Sequence, residues 1–150
     1  MFTIQVKRNI KLPVEKSILI QAAQKVLEFA KIADKSDLVI VIGNDTLLHR
    51  LNLKYRQVDT PTDVLSFPSG EVDPDTSDIY LGDVVISLPR AQSQATSEGH
   101  PIAEELQLLV VHGTLHLLGY DHAQAKEKKL MQVAQDKILS QLGLKPSITL

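Results

Sequence analysis

The stretch that most restricts what this chain can become is PIAEELQLLVVHGTLHLLGYDH, residues 101 to 122. Read at helical spacing, it places Leu106, Val110 and Leu117 on one side and Leu108, Val111, Leu115 and Leu118 on the other. A helix that is apolar over most of its circumference must be covered from several directions, so the rest of the chain has to supply layers around it. Pro101 is tolerated at the opening of such a helix, and Gly119 is the residue type that lets it end in a left-handed turn. Two histidines, His112 and His116, stand four residues apart on this otherwise apolar rod, and a third, His122, follows the glycine.

The covering layers are legible on either side. Phe2 to Lys7 alternates apolar and polar residues and predicts a first strand. After Pro13, the positions Ile18, Ala22, Val26, Phe29 and Ala33 predict a long amphipathic helix. Leu38 to Ile42 (LVIVI) is continuously apolar and β-branched, the pattern of a buried central strand. Gly43-Asn44-Asp45 offers a turn and a cap for a helix from about Thr46 to Tyr55. Asp59 to Pro61 reads as loop, Val64 to Phe67 as strand, Pro68 to Ser77 as an exposed, mobile acidic loop, and Ile79 to Ile86 as a strand able to close a hairpin. Ser87 caps a further helix with Pro89 in its first turn, and a last helix runs from about Ala125 to Leu142, stopped by Gly143. The expectation is one α+β domain over residues 1–150, a small mixed sheet of about four strands packed with five or so helices. Strand order is not readable from this pattern.

On a helix, residues four apart project from one face a turn apart, the spacing at which two imidazoles chelate one ion. Gly119 permits the reversal that brings His122 back as a third ligand. The chain has no cysteine, so a zinc site here must use histidine or carboxylate. Three neutral nitrogens leave a fourth tetrahedral position for water, the arrangement of catalytic zinc sites. The plain alternative is three hydrogen-bonded core histidines, and burying three imidazoles without such partners is costly. The spacing H-x-x-x-H-x-x-G-x-x-H is similar to that of the metzincin metalloproteases, with one departure. Their general-base glutamate directly follows the first histidine, where this chain has Gly113. A peptidase of that type is therefore disfavoured.

Two further segments widen the comparison: LNLKYRQVDTPTDVLSFP, Leu51 to Pro68, and LGDVVIS, Leu81 to Ser87. With HGTLHLLGYDH, in this order and spacing, the chain resembles the YbeY-type endoribonucleases, rRNA maturation factors. That resemblance implies a mixed-sheet α+β fold with a three-histidine metal site. It also implies a metal-dependent RNase specific for single strands, active in small-subunit rRNA maturation and ribosome quality control. It places the metal ligands at His112, His116 and His122 and a functional arginine at Arg56. The catalytic assignment is then Arg56, His112 and His116, with one zinc ion, or another divalent metal, as cofactor. A guanidinium suits the role, because it can hold two phosphate oxygens at once. His49, Arg50 and Lys54 share the Arg56 helix and could extend a basic lip, or be no more than a solvated face. Asp121 is a candidate acceptor for a ligand imidazole, or a solvent-facing or capping residue. Asp83 is either a base near the water or a structural strand-end aspartate, Asp63 and Ser66 lie within the matching motifs, and Tyr120 reads as packing.

Sixteen Lys and Arg against eighteen Asp and Glu give a net charge of -2, which argues against an overall electrostatic coat for nucleic acid but not against a local basic cleft. The N-terminus does not read as a signal peptide and no apolar run is long enough to span a bilayer. The expectation is a cytoplasmic protein whose partners are single-stranded RNA and the small ribosomal subunit, with neither DNA nor a membrane. Two rivals remain at this level: a ribosome-assembly factor with a structural zinc, and a metallohydrolase of another substrate class.

Overall fold

The neighbours of the apolar run at Leu38–Ile42 explain why it has no polar face. The computed structural model describes residues 2–32 and 35–146. In it β1 (Phe2–Val6) lies parallel to β2 (Ser36–Gly43), and β2 lies parallel to β4 (Ile79–Ser87) on its other edge. β3 (Val64–Val72) pairs antiparallel with the outer edge of β4, giving the order β1-β2-β4-β3. β2 is thus bonded along both edges and covered on both faces, as a continuously apolar strand should be.

Five helices clothe this sheet: α1 (Lys16–Phe29), α2 (Asp45–Arg56), α3 (Leu88–Glu98), α4 (Ile102–Leu117) and α5 (Ala125–Gln141). Alternation along the strands sorts them into two layers. Ile40, Ile42, Val84 and Ile86 turn to one face, where they join buried residues of α1, α3, α4 and α5 in the main core. Val41, Leu65 and Val85 turn to the other, where Leu48 of α2 meets them in a small second cluster. α4 sits at the centre of the thick layer, against α1, α3, α5, β3 and β4, which is why its apolar residues encircle it.

Local signals behave as their chemistry dictates. The Asn44 side chain accepts from Leu47 N at 2.9 Å and caps α2, and Ser87 accepts from Arg90 N at 3.4 Å and caps α3. Two expectations are revised. The segment from Pro68 to Ser77 is not all loop, because β3 continues through Val72; Pro68 is accommodated since β3 is an edge strand. The turn itself is confined to the residues after it, where the Asp73 carboxylate accepts from the backbone of Asp75 at 2.8 Å and Thr76 at 3.3 Å. α1 ends at Phe29, before the helical stripe expected to reach Ala33, which lies outside the described residues. Among the described residues no helix is long and apolar enough to cross a membrane.

Candidate metal centre

α4 carries His112 and His116 at its C-terminal end, and its last turn closes as Gly119 adopts φ +97°, a conformation that favours glycine. No atom would obstruct a Cβ at Gly119, so backbone conformation and not space selects glycine there. The reversal returns His122 to the other two. Ring centroids lie 4.8 Å apart for His112–His116, 5.1 Å for His116–His122 and 5.7 Å for His112–His122. One nitrogen from each ring falls within 4.8 Å of the others, a set able to hold a metal ion after modest side-chain rotation. Burial depresses the pKa of His112, and burial together with the neighbouring His112 and His122 lowers that of His116 to about 4. Both are therefore neutral at neutral pH, the form that donates to a metal.

His112 is held by a residue that the sequence did not single out. Its Nδ1 donates to Oε1 of Gln135 at 3.0 Å, which leaves Nε2 as the donor toward the cleft. Gln135 is buried on α5 between Ala134 and Ile138, so a glutamine inside an apolar helical stripe was the available signal. Asp121, the expected candidate for an imidazole acceptor, is exposed and accepts from the backbone N of His122 at 2.7 Å instead.

Gly113 explains the missing glutamate. A Cβ built there would stand 2.5 Å from Val84 Cγ1 and 3.2 Å from Ser66 Oγ, so this position of α4 is pressed onto the sheet. Ser66 Oγ donates to the Gly113 carbonyl at 2.8 Å and ties β3 to the helix at the same point. A side chain placed here would have to displace Val84 from the sheet.

The histidines line one end of a cleft of about 1260 Å³, and Arg56 lines the same cleft from the C-terminal end of α2. His49, Arg50 and Lys54 do not line it, and His49 pairs with Asp59 at 2.7 Å. Glu105 also lines the cleft and is buried, its pKa raised by desolvation against the opposing pull of His100, whose Nε2 lies 2.6 Å from Oε1. Asp63 lines the cleft, with its carboxylate taken up by the backbone N of Val64 at 2.8 Å and by Gln94 Nε2 at 3.3 Å. Asp83 is placed elsewhere. It lies on the α2 side of β4, opposite Phe67 and Val39, where burial raises its pKa and the Tyr80 hydroxyl donates to it. It lies in the middle of β4 and outside the cleft, so it is neither at a strand end nor placed as a base beside the histidines. Tyr120 packs against the main core.

A mixed four-stranded sheet whose most buried helix offers two histidines, with a third returned by a glycine turn, defines a class of α+β proteins built to bind a metal in a cleft. The family model described as Endoribonuclease YbeY matches residues 3–143. Similar curated proteins carry the same name: one from Pelotomaculum thermopropionicum is 43% identical over 130 residues, covering 85% of this chain and 86% of that protein. Another from Chloroflexus aggregans is 40% identical over 149 residues, covering 95% of this chain and 97% of that one. The chain belongs to the YbeY family. The solution structure of TM1509 from Thermotoga maritima has the same fold, with a TM-score of 0.57 at 23% identity over 95% of this chain and 92% of that one.

Proposed function

We propose that this chain is a zinc-dependent endoribonuclease that cuts single-stranded RNA in the cytoplasm and serves small-subunit rRNA maturation and ribosome quality control. Residues 1–150 would act as one hydrolase domain. The observation that carries the reading is the convergence of His112, His116, His122 and Arg56 on a single cleft, in a chain whose relatives are named Endoribonuclease YbeY.

His112, His116 and His122 would hold the ion, with Gln135 keeping the His112 ring in the tautomer that can donate. A zinc ion held by these three residues would supply Lewis acidity and the capacity to acidify a water to a pKa of about 7. Arg56 projects into the same cleft and offers a planar fork to two phosphate oxygens, offsetting the charge that gathers on a phosphodiester during cleavage. Gly113 removes the metzincin base, which favours a phosphodiester over a peptide as substrate.

The test is cleavage of a labelled single-stranded RNA by wild type and His116→Ala, with metal content and circular dichroism measured on both. The expected result is a folded, metal-poor variant whose rate has dropped by roughly 10³ or more, the scale on which loss of a charge-stabilising group acts. Equal cutting by both proteins would sink the reading. An unfolded variant would point to a structural metal. Reconstitution of chelated protein with zinc, cobalt, nickel or manganese identifies the ion, and a 2′,3′-cyclic phosphate end would rule out direct attack by water as the first step.

A further inference from the structure

Beyond the cleft, α2 ends in an aromatic residue that its fold does not cover. Leu47, Leu48 and Leu51 form the stripe by which α2 sits on the sheet, and Tyr55 continues that stripe by one more turn. By then the helix has reached the edge strand β3. The Tyr55 ring meets Phe67 edge to face, with centroids 5.2 Å apart and planes at 68°, and Tyr55 stays 55% exposed. Leu53 and Val58 at this end of the chain segment are also exposed. Such an arrangement leaves one aromatic flank supported from below and open from outside.

A cation stands against this ring on its solvent side, while Asp83, opposite Phe67 on the sheet, is held by the Tyr80 hydroxyl. Lys54 Nζ lies 5.2 Å from the Tyr55 centroid. Arg50 is exposed one turn before Lys54, and the nearby Asp59 is engaged by His49. Arg56, the next residue in the chain, lines the cleft of the three histidines. A strand whose phosphate is held by Arg56 would therefore pass its neighbouring nucleotide over the edge of β3 and onto Tyr55.

We propose that Tyr55, supported by Phe67 and with Lys54 beside its ring, is a stacking platform for a nucleobase of the RNA strand adjoining the phosphate held by Arg56. The proposal rests on the endoribonuclease reading and adds a subsite to it. Aromatic faces next to cations are the usual means of gripping single-stranded nucleic acid without reading its sequence. A paired base cannot offer its face, so the platform also supplies a physical ground for preferring single strands. Charge complementarity is what selects a nucleic acid as occupant of this small apolar patch.

The chain has no tryptophan, so Tyr55→Trp creates a single reporter at the site. Stopped-flow mixing of the metal-loaded variant with a single-stranded oligoribonucleotide reads binding before turnover. Stacking predicts quenching by this RNA and little by the same oligomer bearing abasic residues. It also predicts that Tyr55→Leu, which keeps apolar cover over Phe67, binds RNA roughly tenfold more weakly while remaining folded, and that Tyr55→Phe binds nearly as wild type. Unchanged affinity in Tyr55→Leu with no quenching in Tyr55→Trp would overturn the platform while cleavage by wild type left the nuclease reading intact; the patch would then only cover Phe67 or meet a protein. If wild type neither binds nor cuts RNA, the nuclease reading fails and the platform with it.

Discussion

Four helices cover one face of the sheet and a single helix covers the other, and the chemistry is divided accordingly. On the thick face, α4 is packed between β3, β4, α1, α3 and α5, and the histidines emerge at the end of this enclosed rod. On the thin face, α2 rests on a few residues around Leu48 and leaves Arg50, Lys54 and Tyr55 exposed. A metal site needs ligands held in register by packing. A strand of varied sequence is better met by long side chains on a surface that can adjust. The comparison assigns positioning to the first face and substrate contact to the second, and each assignment can be broken separately.

Arg56 should show the largest effect on the thin face. Arg56→Ala is expected to lower the RNA cleavage rate by about 10²-fold, with bound metal unchanged and stability within about 0.5 kcal/mol of wild type. Arg56→Lys should recover only part of the rate, because a point charge cannot reproduce the two-pronged contact. A change in metal content on losing Arg56 would mean that the two faces are not independent.

Gln135 tests the thick face. Removing its carboxamide leaves the buried His112 Nδ1 without its acceptor and the ring free to turn. Gln135→Ala should weaken metal binding by about 10 to 100-fold, read by competition with a chelator, whereas Gln135→Glu should retain most of it. Stability falling with no change in metal affinity would reduce Gln135 to a packing residue.

Gln135 also marks where reading the chain stopped. The three histidines, Gly119 and the caps at Asn44 and Ser87 were legible because each is a local device: a spacing, a left-handed turn, a side chain reaching its own helix. The LVIVI run announced a strand buried on every side, and it is one. What sequence could not convey depends on elements meeting from far apart. Gln135 and His112 are 23 residues distant. The face on which Asp83 lies follows from the register of β4 against β2 and β3. The continuation of β3 past Pro68 follows from its edge position, since an inner strand would have ended there. Gly113 was read as a missing base, and only the approach of Val84 reveals it as a packing requirement.

That approach supplies a smaller test of the thick face. Gly113→Ala improves helix propensity by about 1 kcal/mol but drives a methyl into Val84, a stiff and fully buried side chain. Overpacking of this kind costs about 1–3 kcal/mol, so a net loss of roughly 1–2 kcal/mol in denaturant unfolding is expected. Combining it with Val84→Ala should return part of that loss. Full stability in Gly113→Ala alone would show that α4 is not pressed as tightly onto the sheet as the site requires.

The smallest expected effect concerns how the thin face is anchored. With so few apolar contacts, α2 gains a polar tie at its N-terminus. Ser87 Oγ donates to Asp45 Oδ1 at 2.6 Å, and Arg90 reaches both carboxylate oxygens, Nε to Oδ1 at 3.3 Å and Nη2 to Oδ2 at 3.2 Å. The Ser87 hydrogen bond is the main cause of a lowered Asp45 pKa, with Arg90 adding to it against some desolvation. A carboxyl whose pKa is lower folded than unfolded stabilises the fold above the ordinary value of 3.8 and loses that contribution as pH falls through the folded value beneath it. Because the pair is well exposed, the contribution should be only about 0.5–1 kcal/mol. Asp45→Asn should therefore be less stable than wild type by that amount at pH 6, and the gap should close progressively below about pH 4. A gap that instead persisted in strong acid would mean that Asp45 holds α2 by shape or helix capping, and that the thin face, like the thick one, does not rely on charge.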